Sequence, residues 1–270
     1  MKKSPAQRRT EILSRLRQGL ASSPMQLAEL FDVSVMTIHR DLKQLDAEGY
    51  LSKQHGGAVV TQQSFLSANI ERRTTINSNA KQAIGRFIAT QLITPEDSIV
   101  IDSGSTTLAL VNELPDTPMT VMVNGISALA VLSQHKHTNV YSLGGRLNAD
   151  IMAFEGTVAC DMLNRCHFTK AFIGTDGIDL EAGFSTTDTA NAQLTRLMAQ
   201  QAKEVYVLAD LSKFNRRAFA SIMNFEDITG IITQKGVSDE FRAVFKQHNI
   251  QLFEVDDDEN QSNPTTYQRP

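Results

Sequence analysis

Residues 34–45 read SVMTIHRDLKQL, and the fold of the N-terminal part of the chain turns on how this stretch is spaced. Advancing about 100° per residue from Ile38 brings Val35, Leu42 and Leu45 to the same side, the buried stripe of an amphipathic helix. Met36, Arg40 and Lys43 point almost the opposite way, with His39 at the margin and Gln44 on the other flank. A single Arg and Lys on an outer face usually serve only solvation. The meaning of the second stripe therefore depends on its neighbours.

Upstream, Ser4-Pro5 opens a helix that runs to about Arg17, with Ile12, Leu13 and Leu16 on one face. Ser23-Pro24 opens another, ending near Phe31. Ser accepts from free backbone amides at such starts, and Pro tolerates the first helical position. Asp32-Val33 then makes a tight turn, Ser34 caps the third helix, and Gly49 ends it. Downstream, YLSKQHGGAVV holds two short strand-like runs around Gly56-Gly57, the pattern of a hairpin. Three short helices and a hairpin predict a winged helix-turn-helix over residues 1–60.

In such a motif the second helix lies in the major groove of double-stranded DNA. Arg40 can contact guanine bidentately, His39 and Gln44 can hydrogen-bond, and Met36 can touch a thymine methyl. Ser34 and Thr37 lie in the first turn, beside amide donors suited to a phosphate. Lys53 and His55, on the wing, are candidates for the DNA backbone or minor groove. Charge agrees: residues 1–60 hold 9 Lys and Arg against 6 Asp and Glu, a net of +3. The whole chain carries -4, which leaves -7 for the other 210 residues. A basic end on an acidic body suits a polyanionic partner, although a few solvated lysines give the same count.

The run QLAELFDVSVMTIHRDLKQLDAEGYLSKQHGGA resembles the N-terminal domain of DeoR-type bacterial transcription regulators. That family typically reads LAE, then VS, then TIRRDL, then a closing HGGA. The match covers most of residues 8–58. It departs at His39, where the family commonly has Arg, removing a permanent charge from the groove face.

The rest of the chain is long enough for a second, larger domain, so two domains are expected of 270 residues. Residues 61–77, with Glu71, Arg72 and Arg73, read as a linker that is partly helical at most. From 78 to 255 helical segments alternate with β-branched runs: SIVID (98–102), TVMV (120–123), NVYSL (139–143), KAFIG (170–174), EVYVLA (204–209), ITGIIT (228–233) and IQLFEV (250–255). This pattern predicts a mainly parallel sheet covered by helices, an α/β domain. Residues 256–270 are acidic and polar and read as a disordered tail.

The stretch SIVIDSGSTT places a small-residue loop between a strand and a helix beginning near Thr106. Such a loop exposes amides and hydroxyls at a positive helix end, which suits a phosphate; it equally describes an ordinary turn. Further polar loops should gather at the same sheet edge: VNG (123–125, with Asn124), LGGRLN (143–148, with Gly144 and Gly145), GTDGID (174–179) and ADLSKF (209–214).

This domain resembles the C-terminal sensor domain of DeoR-type regulators, whose fold is similar to ribose 5-phosphate isomerase. The resemblance implies a phosphorylated sugar effector. Gly104, Ser105, Thr106 and Thr107 would hold its phosphate, Asp102, Asp176 and Asp179 would accept its hydroxyls, and Lys213 would add positive charge. Lys81 falls on a family-typical position, but a solvated helix residue fits as well.

The isomerase places a Lys and then a Glu base around a Thr-Arg pair. Alignment on Thr195-Arg196 puts Leu197 at the Glu position and Asp188 at the Lys position. Leucine cannot take a proton, so isomerisation by that route is lost. The expectation is a sequence-specific transcription regulator, a repressor of sugar-metabolism genes, and not an enzyme. Two alternatives stay open: an isomerase-like enzyme with an accessory DNA-binding domain, and a constitutive DNA-binding protein without metabolite response.

Several classes are excluded or disfavoured. With 41% hydrophobic and 21% charged residues the chain fits neither wholesale disorder nor a membrane class, and no apolar run is long enough to cross a bilayer. MKKSPAQRRTEILSRLRQG lacks the apolar stretch of a signal peptide, which predicts a cytoplasmic protein. Cys160 and Cys166, six apart on an expected helix, read as buried or half-buried thiols and not as a disulfide or zinc site. His135 and His137 read as an exposed helix end without an accompanying carboxylate at ligand spacing. No metal or cofactor is expected. Paired DNA half-sites predict a homodimer or homotetramer.

Overall fold

The computed structural model describes residues 8–9, 11–12, 15, 23–47, 51–54, 57–60 and 73–256; for 46–47, 51–54 and 57–60 it describes the backbone alone. The chain divides into two compact units, Met1–Asn69 and Ile70–Pro270. Several expectations lie outside the described residues: Leu13, Leu16, His55, the helix end at Gly49, linker residues 61–72 and the tail from 257 onward.

In the first unit, Arg8, Arg9, Glu11, Ile12 and Arg15 are helical. Helix α1 (Pro24–Phe31) starts with a capping box in which Ser23 Oγ accepts from Gln26 N at 3.3 Å and Gln26 Oε1 accepts from Ser23 N. It ends at Asp32 in the left-handed region, φ 50°, so the chain turns sharply into helix α2 (Val35–Ala47). Strands β1 (Leu51–Gln54) and β2 (Gly57–Val60) pair antiparallel, forming the expected hairpin.

Ile12, Leu27, Ala28, Ile38, Leu42 and Leu45 form the core of this unit, with Phe31 and Val33 packed on it. Two findings correct the helical projection. Val35, expected in the stripe, is 39% exposed beside an open cleft lined by Met25, Glu29 and Asp32. A wheel records direction but not axial position, and the first residue of a helix has packing neighbours on only one side along the axis. Asp41, by contrast, is buried, and Arg8 Nε donates to its Oδ2 at 2.6 Å while Arg9 lies 3.6 Å from Oδ1. Two of the cations counted toward a polyanion are thus used inside the unit.

In the second unit a helical turn at 73–75 leads into helix α3 (Ser78–Gln91). The sheet follows: β3 (Ser98–Ile101), β4 (Thr120–Val123), β5 (Asn139–Ser142), β8 (Phe168–Gly174), β11 (Ala202–Leu208), β13 (Gly230–Gln234) and β14 (Gln251–Val255). All seven run parallel, in the order β14-β13-β11-β8-β3-β4-β5. Helices α4 (Ser105–Glu113), α5 (Ile126–Leu132), α6 (Thr157–Leu163), α7 (Thr189–Gln200) and α8 (Asp239–Gln247) accompany it. One hydrophobic cluster centres on Ile99, Val121, Phe172 and Ile232, the other on Val100, Ile173, Val207 and Ile231. Neighbouring strand residues thus fall into different clusters, which is why these strands read as apolar runs without alternation.

The strand order decides where a ligand can bind. From β3 the chain proceeds outward through β4 and β5, and from β8 outward the other way through β11, β13 and β14. The reversal lies between β3 and β8, and a crevice opens there at the carboxyl ends of the strands. Helix α3 packs closely against α4, because Gly85 has no side chain: a Cβ there would stand 2.7 Å from the Ala109 carbonyl.

Two small antiparallel sheets were not visible in the sequence pattern. Strands β9 (Gly177–Asp179), β10 (Gly183–Thr186) and β12 (Ala220–Met223) form one, and the hairpin β6 (Arg146–Asn148)–β7 (Ala153–Glu155) the other. Runs of three or four residues are too short to show a period. Lys81, read as either a family-typical position or a solvated helix residue, is not solvated: it is 4% exposed, and its Nζ donates to the carbonyls of Arg73 and, at 2.6 Å, Ile76. Burial pushes its pKa below the ordinary lysine value.

Cys160 is buried in α6 and Cys166 half-buried three residues beyond that helix. His135 and His137 do have a carboxylate beside them: Asp116 accepts from the amides of Lys136, His137 and Thr138 and lies 3.1 Å from His137 Nδ1. Those amide hydrogen bonds hold Asp116 below the usual carboxylate range. Among the described residues no His, Cys, Asp or Glu group could hold a metal ion, and no helix is long and apolar enough to cross a membrane.

Candidate functional site

Helix α2 presents its outer face as a side-chain row. Met36 is 71% exposed, and His39, Arg40, Lys43 and Gln44 are exposed beside it. Among the described residues no carboxylate pairs with Arg40 or Lys43, in contrast to Arg8 and Arg15, which meet Asp41 and Glu11. Ser34 Oγ accepts from Thr37 N at 3.2 Å and lies 2.9 Å from Thr37 Oγ1, so both hydroxyls are engaged in capping. The strand β1 carries Lys53, whose side chain is not described; His55 lies outside the described residues.

In the second unit a cleft of about 700 Å³, its open mouth included, stands at the β3–β8 reversal. Five segments line it: Arg73; Asp102, Ser103, Gly104, Ser105 and Thr106; Asp150 and Ile151; Gly174, Thr175 and Asp176; and Thr186, Thr187, Asp188 and Asn191, joined by Lys213. Of the residues singled out from the sequence, Asp102, Gly104, Ser105, Thr106, Asp176 and Lys213 come together here.

The others stand elsewhere. Thr107 is buried, and its Oγ1 donates to Gly104 O at 3.1 Å, bracing the loop from beneath. Asn124 is fully buried beneath Asp102, its amide engaged in no hydrogen bond of ordinary geometry. Gly144 and Gly145 precede β6, and Gly145 takes φ 128° where a Cβ would meet Glu155 O at 2.8 Å. Asp179 accepts from the amides of Glu181 and Ala182 and pairs with Arg217 at 2.6 Å, closing the β9–β10 turn.

Arg73, Asp150, Thr186 and Asn191 are cleft residues that sequence reasoning missed. Arg73 pairs with Asp176 Oδ1, and Thr186 Oγ1 donates to Asp176 Oδ2 at 2.9 Å. The tip of the β6–β7 hairpin, not the LGG segment at its base, reaches the cleft. Two buried polar atoms at the cleft residues have no hydrogen-bond partner, Ser103 Oγ and Asn191 Oδ1. Unmet buried groups of this kind cost free energy unless a ligand or water completes them.

Asp102 lies on the cleft floor, 4% exposed. Burial pushes its carboxyl pKa up to about 7, aided by the charge on Asp176 and opposed by hydrogen bonds from Ser103 N at 2.8 Å and Thr195 Oγ1 at 3.3 Å. At neutral pH it can therefore either donate or accept. At the positions compared with the isomerase, Arg196 donates to Ile222 O and Ser221 O, Leu197 packs on the core, and Asp188, which lines the cleft, caps α7 by accepting from Asn191 N through its Oδ1.

A helix-turn-helix with an exposed cationic face, linked to an α/β unit with a polar cleft, has clear counterparts among known proteins. Residues 8–64 match the DeoR-like helix-turn-helix domain and residues 76–235 the DeoR C terminal sensor domain. The chain belongs to the DeoR family: it is a transcription regulator that binds operator DNA.

One relative, from Escherichia coli O157:H7 and provisionally named an aga operon transcriptional repressor, is 32% identical over 86% of this chain and 87% of its own. Another, the L-fucose operon activator of Haemophilus influenzae, is 30% identical over 88% of this chain and 96% of its own. Among solved structures, ribose 5 phosphate isomerase A from Neisseria gonorrhoeae superposes with a TM-score of 0.38 at 15% identity, covering 54% of this chain and 56% of the isomerase. That likeness is too distant to bear on function.

Proposed function

We propose that this regulator is a cytoplasmic repressor of a sugar-metabolism operon that releases its operator when a phosphorylated sugar enters the cleft. The observation that carries the reading is the cleft's mixed lining. Arg73 and Lys213 offer positive charge beside the amide-bearing loop 103–106, which begins helix α4 and so favours an anion. Asp102, Asp176 and the unpartnered Asn191 Oδ1 offer acceptors for hydroxyls. A ligand anionic at one end and hydroxylated at the other matches both. The names of the aga and L-fucose relatives support a sugar operon, and the first of them supports repression.

On this reading residues 1–60 read DNA, 61–77 connect, 78–255 sense, and 256–270 form a tail. Met36, His39, Arg40, Lys43 and Gln44 face the groove, Ser34 and Thr37 the adjoining phosphates, and Lys53 and His55 serve the wing. Two reading heads in a homodimer or homotetramer would engage paired half-sites. The effector must favour one arrangement over another, since equal affinity for both moves nothing; a tenfold loss of operator affinity needs about 1.4 kcal/mol of coupling.

A thermal-shift panel of pentose, hexose and hexosamine phosphates, repeated with operator DNA, tests the sensor half. At least one should stabilise the protein and release DNA; if none does either, the phosphosugar reading fails. For the reading half, Arg40→Ala should lower discrimination between cognate and random duplexes by about 1–3 kcal/mol. Lys53→Ala should weaken both similarly and reduce the salt slope by about 1. Equal losses on both DNAs for Arg40→Ala would remove it from the base-reading set.

A further inference from the structure

The segment 73–77 leads from the connecting region into α3, and at least three attachments hold it to the second unit. Lys81 donates to the carbonyls of Arg73 and Ile76, and Asn77 Nδ2 donates to Asp210 Oδ1 at 3.0 Å. Lys81, Asn77 and Asp210 do not line the cleft, although the first attachment also holds the backbone of Arg73. The third is the ion pair of Arg73 with Asp176, and both of its partners line the cleft. Arg73 is also three residues past Ile70, where the second unit begins.

We propose that the Arg73–Asp176 pair is a latch through which cleft occupancy reaches the DNA-binding unit. This deepens the phosphosugar reading and rests on it for the ligand's chemistry. With the latch closed, the guanidinium of Arg73 is committed to Asp176 Oδ1. An incoming phosphate group competes for it, since Arg binds phosphate through the same two-pronged donors that it offers a carboxylate. When the guanidinium turns to the phosphate, Asp176 keeps Thr186 on its other oxygen but loses its counter-ion.

The anion therefore binds the open state better than the closed one, which is the differential affinity that a switch requires. Both side chains of this pair line the cleft, where an anion can compete for the guanidinium. The Arg73 side chain is 41% exposed and Asp176 13%, so the guanidinium has room to move while the carboxylate stays fixed.

The test uses the full chain, a duplex selected by the wild-type protein from a random pool, and inorganic phosphate as the probe. Phosphate titrations are compared with chloride at matched ionic strength, because DNA affinity itself depends on salt. Asp176→Asn frees the guanidinium: it should bind phosphate about fivefold or more tightly than wild type and bind the duplex about fivefold or more weakly without phosphate. Arg73→Gln should weaken duplex binding in the same way, yet lose the response to phosphate. The double variant should match Arg73→Gln, because a broken latch cannot be broken twice. Arg73→Lys, which keeps the charge without the planar fork, should fall between wild type and Arg73→Gln.

If phosphate leaves wild type unmoved but Asp176→Asn and Arg73→Gln both weaken duplex binding, the latch stands and the phosphate reading falls. If phosphate releases DNA from wild type while both variants hold the duplex as wild type does without phosphate, the latch is wrong and the phosphate reading stands. Thermal melts of the variants guard against loss of fold.

Discussion

Asp41 in the first unit and Asp102 in the second are both buried close to a functional surface, and the two are handled oppositely. Asp41 lies on the inner side of the reading helix and meets Arg8 at 2.6 Å, both side chains nine-tenths buried. Asp102 lies on the floor of the cleft with hydrogen bonds from Ser103 N and Thr195 but, among the described residues, no cation. A buried carboxylate without a counter-ion is costly, and it shows in a pKa raised to about 7. The first aspartate serves the fold, because its neutralised charge ties two helices together. The second opposes the fold, which marks a group kept for binding.

The largest effect should come from breaking the first arrangement. Arg8→Met leaves Asp41 buried and unpaired except for the more distant Arg9, and should cost about 3–5 kcal/mol. Operator binding should collapse while the sensor unit still melts as in wild type. Arg8→Met combined with Asp41→Leu should recover most of the loss, because a packed apolar pair can replace a buried ion pair. If the double variant binds DNA no better than Arg8→Met alone, the pair does more than hold the helices.

The opposite arrangement predicts the opposite sign. Folding raises the pKa of Asp102, so the folded chain holds this proton more tightly than the unfolded one. Its ionisation therefore costs stability. The cost is absent below the ordinary carboxylate range near 4, grows as pH rises toward about 7, and is constant above that. Each unit between the two pKa values is worth about 1.4 kcal/mol. Asp102→Asn should thus melt higher than wild type at pH 8 and close to it at pH 4. A gain of the same size at both values would mean that the substitution acts through packing and not through charge.

The same contrast explains what the sequence could reveal. The outer face of α2 and the inner stripe of Ile38, Leu42 and Leu45 follow a period of 3.6 within one short segment, so local spacing was enough. The seven parallel strands were legible as β-branched runs, and loop 102–106 as small residues between a strand and a helix. Partnerships across the chain were not. Arg8 meets Asp41 from 33 positions away and Arg73 meets Asp176 from 103. Neither spacing carries a period, and Arg73 looked like part of a linker. Asp179 misled for the complementary reason: its DGID context matches a ligand loop, while its oxygens close a turn two and three residues on.

The smallest effect sharpens the comparison inside the first unit. If direction around α2 decided burial, Val35→Ala and Ile38→Ala would be similar losses. Ile38 is fully buried in the core of that unit, so its truncation should cost about 2–5 kcal/mol. Val35, exposed at the first helical position, should change stability by less than about 0.5 kcal/mol, and the better helix propensity of Ala offsets part of even that. Denaturant melts of the full chain, followed by operator binding, measure both. A loss above 1 kcal/mol for Val35→Ala, in line with ordinary core truncations, would mean that Val35 is covered in solution, and the inner stripe would then extend to the helix start as its spacing alone suggested.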